Sequence, residues 1–334
     1  MSAQRIQYVD AMRGVAMIMV VIWHVYIMCF HYETPFSYRL NWVLQIPLFV
    51  MISGFFAGGL LTKPLKTIFR EKLIHLVVPA VIMMSIYCWV RPLNYTATLF
   101  APYKEGYWFT YLLFAYLLIF CLQCKLLNRL QRDSVRNGVH LLIALIIAYA
   151  AQVAYKLTDT YPIMGLFSLE LYCYYPYLVI GYLIYQYRDW VLQNVRWGVM
   201  IIACFIANIF FYKYDMGFLR YFSVPTTLII NTLSLMVIWF CFERVPQLST
   251  SSRTGRFLSF VGRRSIDVYF LHYFFLPLNL ELIGEYCVEL NSTVLSYLIA
   301  TVLALIFTVL SLGLGHILRL SPFTAKYLLG TKPE

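Results

Sequence analysis

Charge is the scarcest thing in this sequence. Asp, Glu, Lys and Arg make up only 12% of its 334 residues, about half of what soluble globular domains carry. Hydrophobic residues supply 61% and mean hydropathy is +0.72, which excludes a water-soluble globule. Acids are scarcer than bases, 15 against 26, for a net charge of +11. Such an excess can point to nucleic acid. Here the cations fall between apolar runs, where the positive-inside rule expects them, so no nucleic-acid partner is expected. A second cysteine pair is also missing: the eight cysteines are scattered, and Cys121 and Cys124 form the only CxxC. No metal or redox centre is therefore expected, and the thiols read as small packing residues. No small-residue cleavage site follows the first apolar run, so residues 1–30 are expected to remain as a spanning helix. Long repeats and low-complexity segments are absent.

What remains is a series of apolar runs near the ~20 residues that cross a bilayer core. Ten can be counted, at roughly 11–30, 41–61, 73–90, 107–125, 138–155, 167–187, 197–213, 221–242, 266–283 and 294–318. The expected fold is all-α, a polytopic transmembrane bundle of about ten helices forming one domain over residues 1–334. With the N-terminus placed in the cytoplasm, 20 of the 26 Lys and Arg fall in cytoplasmic loops and six outside. That split supports the count and puts both termini in the cytoplasm. The acids Glu281, Glu285 and Glu289 would form a solvated rim outside.

Against this background the segment Tyr8–Phe30 stands out, because it carries Asp10, Arg13 and His24. Arg13 and His24 are three turns plus about 20° apart, so they share a face, with about 16 Å of rise between them. Asp10 lies one turn before Arg13, within pairing reach. Ionisable groups inside a span are costly and mark functional sites by default. Histidine titrates near neutrality and can take a proton from a hydroxyl if its other nitrogen is held; it can equally be a buried, hydrogen-bonded structural group. Arg13 can snorkel to the interface, pair with Asp10 or grip a phosphate.

Other residues offer weaker signals. Ser53 precedes Gly54 and Gly58, a GxxxG step suited to close helix packing. Lys72 and His75 stand one turn apart in the basic stretch before Pro79, a topology signal or a phosphate contact. Trp108 opens the fourth run at the outer interface. Tyr269 and His272 are i, i+3 on the ninth run. Asp267 lies beside Arg263 and Arg264, where an ion pair is expected.

These pieces together resemble the acyltransferase-3 family of integral-membrane proteins. The resemblance rests on Arg13 and His24 with ten residues between them, preceded by Tyr8-Val9-Asp10. It extends to Phe49-Val50-Met51-Ile52-Ser53-Gly54-Phe55, Trp108-Phe109, Gly181-Tyr182-Leu183 and Val268-Tyr269-Phe270-Leu271-His272. One departure stands at Lys72-Leu73-Ile74-His75, where the family often has Arg-x-x-Arg. The resemblance implies an O-acyltransferase, with acyl-CoA, acetyl-CoA above all, as co-substrate and no tightly bound cofactor. The acceptor would be a hydroxyl of a cell-envelope carbohydrate or lipid-linked glycan, and the setting a bacterial inner membrane. It further implies catalytic roles for His24, Arg13 and Asp10, and substrate contacts from Ser53, Lys72, His75, Trp108, Tyr269 and His272. The competing expectation is a transporter whose path is lined by His24, Asn208, Asn231 and His272. A catalytically idle scaffold would leave the charged stripe unexplained.

Overall fold

A computed structural model describes residues 6–32, 35–158, 162–213 and 223–331. The backbone is helical, and the described residues contain no strand. Among the described residues six helices are long and apolar enough to cross a membrane: Gln7–Phe30, Leu65–Val90, Trp108–Leu127, Asp133–Leu157, Thr227–Arg244 and Thr293–Arg319. They coincide with the first, third, fourth, fifth, eighth and tenth expected runs.

The other four runs are built differently, for local reasons. The second is the helix Pro35–Ala57 with Pro47 inside it. The sixth breaks into 3-10 turns up to Tyr174, and only Tyr175–Gln186, opened by Pro176, is α-helical. The seventh is the 17-residue helix Trp197–Lys213. The ninth is helical over the 11 residues Ser265–Phe275 and again only from Glu281. Leu276 is extended there because the residue before a proline, here Pro277, avoids the helical region.

The chain divides into two compact units. The first comprises Met1–Phe49, Val195–Tyr214 and Ile230–Ile317, and the second Val50–Asn194, Asp215–Ile229 and Leu318–Glu334.

The first helix, Gln7–His24, is the axis of the first unit. In its span 67% of the apolar window is buried, against 17–39% in the other five, so it is enclosed by protein rather than lipid. It packs against the helix Arg253–Arg263 with the backbones nearly touching. A Cβ on Gly14 would lie 2.0 Å from the Leu258 carbonyl oxygen, and one on Gly262 would lie 1.7 Å from that of Asp10. Only glycine fits either place, and small residues permit this kind of approach in membranes. After His24 the helix widens into a π-turn, Val25–Phe30, a distortion found often at functional sites. The acidic helix Glu281–Glu289 is exposed along its glutamates, and Glu281 lies 3.6 Å from His31.

In the second unit the close approach pairs Gly54 with Gly181. Their Cβ atoms would each lie 1.9 Å from a backbone oxygen, of Leu178 and Met51 respectively. Gly58, the other half of the GxxxG step, meets only the Tyr182 ring. The helix Leu65–Lys72 passes through a π-turn, Leu73–Val77, into Val78–Val90. Pro79 has no N–H for the carbonyl four residues back, and the π-turn absorbs that gap. Beyond Val90, Lys104 is buried and donates to the carbonyls of Ala101 (3.1 Å) and Gly165 (2.8 Å) and to Ser168 Oγ (3.2 Å), tying two loops together. On Asp133–Thr158, Leu142, Ile146, Tyr149 and Val153 form one exposed apolar face, as a lipid-facing helix requires.

Candidate active site

The first unit brings His24 and His272 together. His24 ends the first helix, and His272 sits in the last turn of Ser265–Phe275. His272 Nε2 lies 3.2 Å from His24 Nδ1, and the ring centroids are 5.0 Å apart. The third member, Tyr273, has its hydroxyl 3.2 Å from His24 Nε2, with the rings edge to face. His272 and Tyr273 are buried, and His24 is half-buried.

The proton positions follow from one carbonyl. His272 Nδ1 lies 2.7 Å from the Val268 oxygen, one turn back. A carbonyl only accepts, so that nitrogen carries the proton, and the Nε2 of the neutral ring is an acceptor. His24 Nδ1 then donates to it, and the Val20 carbonyl, one turn back, is a second acceptor for the His24 ring. That leaves the lone pair of neutral His24 on Nε2, where it accepts from the Tyr273 hydroxyl. The chain of bonds thus sets one tautomer of His24 and turns its basic nitrogen towards a hydroxyl group.

Asp10 and Arg13 lie on the same continuous helix, roughly four and three turns below His24. Arg13 Nη1 is 3.9 Å from Asp10 Oδ1, and Asp10 is the more buried of the two. Asp267 is fully buried and meets Arg264 at 3.5 Å, as its neighbours suggested. A Cβ on Gly315 would come within 2.8 Å of the Asp267 side chain, so the helix Thr293–Arg319 closes over that carboxylate. Tyr269 packs against the Phe270 ring at 5.0 Å. The residue that meets His24 is Tyr273, which the i, i+3 spacing passed over. The side chain of Asn208 lies outside the described residues.

Ser53, Lys72, His75 and Trp108 belong to the second unit. Ser53 is half-buried beside Gly54, at the crossing with Gly181. Trp108 stacks on Tyr174, with centroids 6.5 Å apart. His75 Nδ1 lies 2.7 Å from the Gly330 carbonyl and His75 lines a cavity, together with Lys66, Arg70 and Lys326. Lys72 does not line it. It stands about 200° round the helix from Arg70.

The model of the acyltransferase-3 family, described as an acyltransferase domain, matches residues 6–313 of the 334. A search of curated proteins and a search of solved structures each gave no match.

Proposed function

The chain belongs to the acyltransferase-3 family and is a multi-pass membrane acyltransferase, and from that premise we propose its reaction. A short acyl group, acetyl in the simplest case, moves from acyl-CoA to a hydroxyl of a cell-envelope carbohydrate or lipid-linked glycan, in a bacterial inner membrane. The observation that carries this reading is the His24 Nε2 lone pair, held by His272 and facing a hydroxyl at 3.2 Å.

The acceptor hydroxyl takes the place of the Tyr273 hydroxyl. His24 Nε2 removes its proton as the oxygen attacks the thioester carbonyl. The C–S bond then breaks, and the imidazolium returns the proton to the leaving thiolate. His272 accepts from Nδ1 throughout and steadies the charged ring. Arg13, anchored by Asp10, offers a fixed cation to an anionic part of the donor.

Mass spectrometry of envelope glycans from cells with and without the protein tests the reading. The expected result is one acyl mass gained per modified unit, dependent on the protein. Unchanged glycans, together with solute movement across reconstituted vesicles lacking acyl-CoA, would overturn it in favour of transport.

A further inference from the structure

The cavity lined by His75 lies wholly within the second unit and encloses about 600 Å³, within the size range of small-ligand pockets. Its walls are the helix Leu65–Lys72, the π-turn after it and the C-terminal helix Pro322–Tyr327. Lys66 and Arg70 stand one turn apart on the first wall, and Lys326 comes from the last. Among the described residues none of these three cations is in an ion pair. The one lining carboxylate, Glu71, is held by Lys63 at 2.6 Å. Thr67 and Thr331 add hydroxyls.

Two chain segments far apart in sequence are fastened to make this space. The Gly330 carbonyl accepts from His75 Nδ1, which leaves Nε2 as the ring's other polar atom. Gly330 has φ +64°, and a Cβ there would lie 2.1 Å from the His75 oxygen, so only glycine allows the approach. A topology signal needs only cations near the interface. It needs no cavity, no hydroxyls and no tether from the far end of the chain. Three exposed cations bordering one space, none of them in an ion pair among the described residues, favour an anion at its mouth, and planar or tetrahedral oxyanions suit Arg and Lys together.

We propose that this cavity is a phosphate-binding site, with Lys66, Arg70 and Lys326 contacting phosphate oxygens and Thr67 and Thr331 completing the shell. Phosphate of this kind comes from two sources, the nucleotide end of a thioester donor or the headgroup of an anionic phospholipid. The inference does not rest on the acyl-transfer reading, because binding is measured without turnover.

The test uses the purified full chain in neutral detergent, titrated with coenzyme A, and the same chain in nanodiscs of phosphatidylglycerol or of phosphatidylcholine. Wild type is expected to bind coenzyme A, or to prefer phosphatidylglycerol over phosphatidylcholine. The combined Lys66→Gln, Arg70→Gln, Lys326→Gln variant is expected to lose that binding by about tenfold or more. Arg132→Gln, an exposed cation of the same unit outside the cavity, should change it less than about twofold. All three replaced side chains are exposed, and an unchanged thermal melt shows the variant folded. Coenzyme A binding assigns the nucleotide source, and a phosphatidylglycerol preference the lipid source. Binding of neither probe, a folded triple variant that binds as wild type does, or an equal loss in Arg132→Gln would overturn the proposal.

Discussion

Gly262→Ala tests how the fold holds the histidine pair. The new methyl would lie 1.7 Å from the Asp10 carbonyl oxygen and within 2.9 Å of the Gly14 nitrogen. Carbon and carbonyl oxygen come to rest at about 3.3 Å or more, so the two helices must part by roughly 1.6 Å. Both obstructing atoms are backbone, so no rotamer change relieves the clash. Overpacking of this kind costs about 1–3 kcal/mol. The displaced first helix carries His24, and Arg253–Arg263 leads directly into the helix that carries His272. The 3.2 Å contact between them would open, and a misplacement of about 1 Å costs on the order of 10²-fold in rate. The assays are a thermal melt in detergent and the rate of acyl transfer. Gly313→Ala is the control, because nothing lies within 4 Å of its Cβ position. It should match wild type or gain about 0.5–1 kcal/mol from better helix propensity. A Gly262→Ala protein that melts and turns over like wild type would refute the argument.

Replacing His272 with Phe keeps a ring but removes the side-chain acceptor for His24 Nδ1, leaving the Val20 carbonyl as a backbone one. The rate should fall on the order of 10²–10⁴-fold with an altered pH profile, while the acceptor KM holds; an unchanged pH profile would make His272 a packing residue. Tyr273→Phe removes the hydroxyl that occupies the acceptor's place, so kcat should stay within about tenfold of wild type. A larger loss would give that hydroxyl a role in the chemistry. In the loop before Trp108, burial pushes the Lys104 ammonium down to about 8. The unfolded chain, with a lysine near 10.4, then binds more protons between those values, and stability should rise as pH increases from about 8 to 10.4. The full gain would be about 3 kcal/mol, and a Lys104→Met protein should lose that pH dependence. A wild-type melt that is flat over this range would count against the burial argument.

The main parts of the candidate site were legible because ionisable residues inside apolar runs are conspicuous. Asp10, Arg13, His24, Asp267 and His272 all drew attention on that ground alone. Three features were hidden for geometric reasons. Tyr273 is adjacent in sequence to His272, and helical spacing rules search for partners three or four residues away. Both rings reach His24 only because the first helix crosses at that level. The GxxxG rule reads glycines within one helix, whereas the close crossings pair one glycine from each partner, Gly14 with Gly262 and Gly54 with Gly181. Lys72 matched a family pattern by sequence position, but the cavity is lined from the Lys66–Arg70 side of the helix. Span counting failed where proline or 3-10 turns shorten a helix, as at Tyr175–Gln186 and Ser265–Phe275. Hydropathy averages over such breaks and reports one continuous run.

The central claim is that His24 Nε2 takes a proton from the acceptor. The most direct measurement is acyl incorporation into the acceptor glycan by membranes carrying His24→Ala, at expression and insertion equal to wild type. Loss of transfer, with the protein still folded and inserted, is the predicted result. Full acyl incorporation by His24→Ala would contradict the account.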